Sequence, residues 1–178
     1  MSTLRAALIA ITILGLAAGC GRTDGEGASP AAAATTATST SSTSPAPAAP
    51  QLDAKAVVDA LVAAKLPVTK VVVQNEDTDP NDLFGRPNGY LSRASFDVPG
   101  GDPEADSGAI GRGGVVEVFA DAAGAEARKK YIQDSLKSNP VLGTEYDYTN
   151  GPVLVRLVGK VKPSVARTFE PAVAALKP

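Results

Sequence analysis

Residues 144–159 read TEYDYTNGPVLVRLVG. Two strand-like runs, TEYDY and VLVRLVG, flank Thr149-Asn150-Gly151-Pro152. Asn-Gly between alternating runs is the strongest short hairpin signal, because both residues tolerate the positive φ of a tight turn. A hairpin here commits the chain to an antiparallel sheet, and the neighbouring segments are read against it.

Upstream, residues 90–98 read YLSRASFDV. Tyr90, Ala94, Phe96 and Val98 fall on one face, and Arg93, Ser95 and Asp97 on the other. This alternation predicts a strand with one buried side. The loop PGGDPEADSGAIGRGG leads to VVEVFA at 115–120, a second strand. Asp121 is placed to cap the helix that follows, 122–137, with Ala127, Tyr131, Ile132 and Leu136 inward. Lys137 suits its C-terminal end. After the 144–159 hairpin, a last helix begins near Pro163 and carries Val165, Phe169, Val173 and Leu176. Pro171 should kink it by removing one backbone donor.

The domain opens with another helix. Asp53 is its N-cap, Leu52 and Val57 form a hydrophobic staple, and Val57, Val58, Leu61 and Val62 make the stripe. Pro67 should end it. VTKVVVQ at 68–74 reads as a short β-branched strand. In the connection NEDTDPNDLFGRPNGY, Asp79-Pro80 and Gly85 bracket one expected helical turn. The fold class is therefore α+β: an antiparallel sheet with helices packed on one face. Two strand–strand–helix units are preceded by a helix and a short strand.

The N-terminus sets the expected location. Arg5 is the one charge before AALIAITILGLAAG, an apolar run of roughly 14 residues, within the range of a secretory signal and short of a bilayer span. Ala17-Ala18-Gly19 stand directly before Cys20. This order resembles the lipobox of bacterial lipoproteins. It implies cleavage after residue 19 and a diacylglycerol thioether on Cys20, with palmitate-like chains holding the protein to the membrane. Two chains anchor stably where one does not. Residues 1–19 are thus a signal peptide. Residues 20–50 are the lipidated cysteine and an Ala/Ser/Thr/Pro linker without large apolar side chains, expected to stay disordered. Residues 51–178 are one globular domain.

Composition excludes much chemistry. The chain has no His, no Trp and one Cys. Histidine triads, zinc fingers and iron–sulfur ligation are ruled out, as is a disulfide within the chain. Lys+Arg is 17 against 19 Asp+Glu, and loss of Arg5 with the signal leaves 16 against 19. That balance argues against sequence-independent nucleic-acid binding. We expect no catalytic residue, cofactor or metal ligand.

Asp77, Asp79 and Asn81, and again Asp102, Glu104 and Asp106, have the 1-3-5 spacing of a calcium loop. Both lack its glycine and closing glutamate, so they read as solvated loops. GAIGRGG opens a strand, which makes it a hairpin loop rather than a phosphate cradle. Tyr146 and Tyr148 share a face with each other, and with Tyr90 nearby they read as core under the helices or as a stacking row. FGRPNGYLSR reads first as turn chemistry and, as the alternative, as a recognition loop of Arg86, Asn88, Tyr90 and Arg93, with Arg86 as a contact for an anionic group.

DPNDLFGRPNGYLSRASFDVPGGDPEAD, GRGGVVEVF and GTEYDYTNGPVLVRLVGKVKPS resemble a group of actinobacterial lipoproteins, from about Val68 to Pro163. The resemblance implies one domain displayed outside a membrane and brings no catalytic residues with it. The expected function is a non-catalytic, lipid-anchored domain at the extracytoplasmic face of the cell membrane, binding a protein or envelope component. The alternative is a carboxylate-dependent hydrolase acting at the envelope. A ligand receptor for a transporter would usually need a larger, two-lobed chain.

Overall fold

The computed structural model describes residues 52–178. The expected signal segment 1–19, lipidation at Cys20 and linker to residue 50 all fall outside the described residues. No helix among the described residues is long and apolar enough to cross a membrane.

The chain runs α1 (Ala54–Ala63), β1 (Thr69–Gln74), β2 (Ser92–Asp97), β3 (Gly113–Val118), α2 (Ala122–Ser138), β4 (Glu145–Asn150), β5 (Val153–Val158), α3 (Pro163–Ala174). The fold is α+β, with a five-stranded sheet of order β1-β2-β3-β5-β4, antiparallel throughout. The β4–β5 hairpin folds back so that β5 lies between β3 and β4. Those two strands are therefore parallel and two positions apart, and α2 crosses over between them.

Local signals explain most boundaries. The Asp53 carboxylate accepts from the Ala56 amide at 2.7 Å and starts α1. Asp121 does the same for α2 through Gly124, at 2.8 Å. α1 ends before Pro67. Lys65 takes φ 64, its amide bonds Val62 O, and the Leu66 amide bonds Leu61 O. This pair of bonds is a Schellman stop built on lysine in place of the usual glycine. The hairpin turn sits one residue later than the sequence suggested. Asn150 pairs with Val153, and Gly151 (φ 54) and Pro152 form the loop. Glycine at the first of two turn positions, with proline fixed at negative φ in the second, suits a type II′ geometry. Asn150 is left free to cap α3: its amide donates to the carbonyls of Val173 and Leu176 at 2.9 and 3.0 Å.

Helices occupy both faces of the sheet, which corrects the one-face expectation. Residues directly opposite one another in a ladder share a face. Ala94 lies opposite Val116, and Val116 opposite Val155. That face meets α1 and α3 in the main core, where Phe96 stacks on Phe169 at 6.2 Å. Gly114 makes this possible, since a Cβ there would stand 2.6 Å from the Phe96 ring. Arg93 lies opposite Glu117, and Asp147 opposite Arg156, on the other face. α2 covers that face over β4 and β5. Connections between parallel strands of one sheet take one hand, so chain direction, not composition, decides where α2 goes.

The two strand–strand–helix units are consequently not two-fold copies. An antiparallel β3–β5 pair requires an axis normal to the sheet, and such an axis keeps both helices on one face. The inward set of α2 also changes: Ala125 and Ile132 are buried, whereas Ala127 and Tyr131 are exposed. No helical turn forms at 79–85. The Asp79 carboxylate instead accepts from the amides of Asn81, Leu83 and Phe84.

Candidate functional site

Between α2 and the sheet lies a buried layer of charge. Each of β2, β3 and β5 places one charged residue on the α2 side of the sheet's centre: Arg93, Glu117 and Arg156, exposed by 2%, 0% and 7%. Buried ions persist only when paired, and these are. Glu117 Oε1 accepts from Arg156 Nη1 at 2.8 Å, and Oε2 from Arg128 Nε of α2 at 3.1 Å. Arg156 spends Nε and Nη2 on both oxygens of Glu145, each at 2.9 Å. Arg93 donates to Gln74 Oε1 and Gly108 O, and its Nε stands 3.9 Å from both Asp79 and Glu117. Burial alone would lower the affinity of Arg156 for its proton, but Glu117 and Glu145 more than offset this and hold it above the ordinary value. For Arg93 burial wins, and its proton is held less tightly than usual.

The 75–91 connection continues the layer. Tyr90, fully buried, donates its hydroxyl to Asp79 and accepts from Asn81 Nδ2. Burial pushes the Asp79 carboxyl up, yet Tyr90 and the loop amides outweigh it and keep the carboxyl below its usual range. The Tyr90 hydroxyl is pushed well up, by burial first and by Asp79 second.

One carboxylate is left over. Three arginines (93, 128, 156) face three paired acids (79, 117, 145), and Asp147 is the fourth acid. Its Oδ2 accepts from Gln133 of α2, and its buried Oδ1 has no hydrogen-bond partner among the described residues. Burial, reinforced by Glu145, raises its pKa to about 6 despite the Gln133 bond.

Above this layer an open groove of about 770 Å³ runs between α2 and residues 83–91. Leu83, Leu91, Phe119, Ala127 and Tyr131 give it apolar walls, and Arg86, Asn88, Asp121 and Arg128 are its polar members. A hollow of about 410 Å³ shares Leu83, Arg128 and Tyr131 with it and reaches Glu145 and Arg156. Arg128 thus spans both layers: its guanidinium grips Glu117 below and lies 5.9 Å from the Tyr131 ring above. The loop wall is shaped by close approach. A Cβ on Gly89 would stand 1.9 Å from Leu83 O.

The expected recognition loop divides in two. Arg86 and Asn88 are exposed and line the groove, Arg86 pairing with Asp82. Tyr90 and Arg93 are not available to a ligand and belong to the buried layer, a correction with two causes: Arg93 stands on an inner strand with both faces covered, and Tyr90 is closed in by Asp79 and Asn81 of the 75–91 connection. Tyr146 and Tyr148 pack in the main core under α3, where the Tyr148 hydroxyl donates to Ala166 O at 2.9 Å. Tyr90 lies in the other cluster, so the three tyrosines form no row. Asp79 turns inward, away from the calcium-like spacing it shares with Asp77 and Asn81. Among the described residues no three His, Cys, Asp or Glu side chains are grouped to hold a metal ion.

Sequence reasoning passed over Glu117, Arg128, Glu145, Asp147 and Arg156. A signal was present in VVEVF and VLVRLV, where one charge interrupts an apolar run on a strand. Such a charge is either on an edge or paired in the interior. No family model, curated protein or solved structure matches the chain.

Proposed function

We propose that the chain is a lipid-anchored extracytoplasmic domain that binds a protein or cell-envelope component through the α2 groove and catalyses no reaction on it. The observation that carries this reading is the contrast between the groove and the acids beside it. The groove is open, mostly apolar and of ligand-binding size, whereas Glu117 and Glu145 are engaged by arginines. A carboxylate hydrolase needs two acids converging on one cavity with unlike protonation. Glu145 reaches the smaller hollow but is held in a two-point bond by Arg156, and Asp147 lines neither cavity.

The anchor and the groove are tested separately. Cys20→Ala should move the protein from the membrane fraction to the medium, and retention at high salt would refute the anchor. For the groove, a photo-crosslinking amino acid at Tyr131, 65% exposed, should capture one envelope component in cells. Ala127→Arg, which fills the groove one turn away, should abolish that adduct. An adduct unaffected by Ala127→Arg would move the contact elsewhere.

A further inference from the structure

Among the described residues β1 is an edge of the sheet, with β2 as its single neighbour. The opposite edge, β4, is half-buried along its length, with α2 on one face and α3 on the other. β1 lacks such cover. Val71, Val72 and Val73 are 39%, 36% and 51% exposed. Successive strand residues point to opposite faces, so valine meets solvent on both sides of this strand. The open edge beside them offers backbone donors and acceptors with nothing opposite among the described residues, which is a template for another strand.

We propose that β1 pairs antiparallel with β1 of a second copy of this chain, about a two-fold axis at Val72, joining the two sheets into one of ten strands. The sequence of the edge favours self-pairing. Lys70-Val71-Val72-Val73-Gln74 is apolar at its centre and polar at both ends. Turned about Val72, Val71 meets Val73 of the other copy twice, Val72 meets itself, and Lys70 meets Gln74. Moving the axis to Val73 would set Val72 against Gln74 and Val71 against Asn75. The apolar match therefore selects the register. Charge agrees with it. The two Lys70 residues lie at opposite ends of the pairing, each beside Asp97 of its own chain at 3.6 Å, so like charges do not face one another across the seam.

The same strand limits how strong this contact is. Pairing with β2 slips between Thr69 and Val72, with Lys70 at φ 45. A bulge and a lysine are devices that shorten a usable edge. The remaining straight run buries less than the ~1,200 Å² of stable complexes, so the dimer is weak and exchanges. It is also closed, because a two-fold contact consumes the same edge on both copies and cannot propagate. The pairing rests on neither the anchor nor the groove.

Cys20 is the one native cysteine, so single introduced cysteines report single positions. Thr69→Cys, Val71→Cys, Val72→Cys and Val73→Cys, all at exposed positions of β1, are made in the full chain and oxidised in the producing cells with copper phenanthroline. Dimer is read on non-reducing gels, and the parent chain supplies the contribution of Cys20. Val72→Cys should give dimer several-fold above each of the other three. Co-expressed Val71→Cys and Val73→Cys chains should give a mixed dimer that neither gives alone. Bands no stronger than the parent at every position, a flat profile, a maximum away from 72, or adducts with other proteins alone would each overturn the proposal. All four sites are on an edge strand, so a folding failure at one leaves the others to decide.

Discussion

Glu117→Gln is expected to destabilise the domain by about 3–5 kcal/mol, the cost of breaking a buried ion pair by removing one partner. The substitution keeps the volume and removes the one carboxylate that three guanidiniums approach. Arg156 retains Glu145, and Arg93 retains a distant Asp79, but Arg128 loses its carboxylate partner. Arg128→Met should cost much less. Its side chain is 14% exposed and its removal leaves Glu117 bonded to Arg156. The asymmetry separates a charge effect from a packing effect, since Met and Gln both preserve bulk. Urea unfolding followed by far-ultraviolet circular dichroism measures both, the chain having no tryptophan to report. Equal and small losses would mean that the arginines reach water and the layer is not electrostatically tied.

Asp147→Asn carries the opposite sign. Asp147 titrates near 6 in the folded protein against an ordinary 3.8. A folded-state pKa raised in this way stabilises the protein fully below the unfolded value, and that contribution disappears as pH rises through the folded one. The relevant window is therefore pH 4 to 7, above the range where the lowered Asp79 and Asp97 carboxyls protonate. Each unit is worth ~1.4 kcal/mol, which puts the gain from Asp147→Asn at pH 7.5 on the order of 1–3 kcal/mol after discounting for partial exposure. The parent protein should lose stability between pH 4.5 and 7, and the variant should not. Denaturation midpoints across that range test it, and parallel curves would show that the group is already solvated.

How far the sequence led can be judged at particular residues. Asp53, Asp121, the alternation in 144–158 and the β-branched run at 69–74 each act within a few residues of themselves, and each element formed there, the hairpin turn alone moving by one residue. The faces were not legible, because nothing within α2 says which side of the sheet it must cross. Tyr90 and Arg93 were misassigned for a related reason. Alternation along 90–98 separates two faces, but only the neighbours of β2 decide whether the polar face is wet, and here the 75–91 connection seals it. Asn150 looked like half of a turn and proved to be the cap of a helix starting thirteen residues later. The exposure of Arg86 and Asn88 was legible in the turn chemistry around them, while the apolar wall that α2 sets opposite them was hidden in residues assigned to the core.

The position of β5 has a consequence for how the domain comes into being. The strand at the middle of the charge layer, holding Arg156 between Glu117 and Glu145, is the last to be synthesised. Until it inserts, β3 has an open side, β4 has no neighbour in the sheet, and Glu117 and Glu145 lack the arginine that joins them. Partial chains emerging from a ribosome or a translocation channel thus have no resting structure to fall into. Such a chain stays threadable until nearly its final residue and then closes in one cooperative step; cutting it anywhere before Val153 should leave no folded remnant.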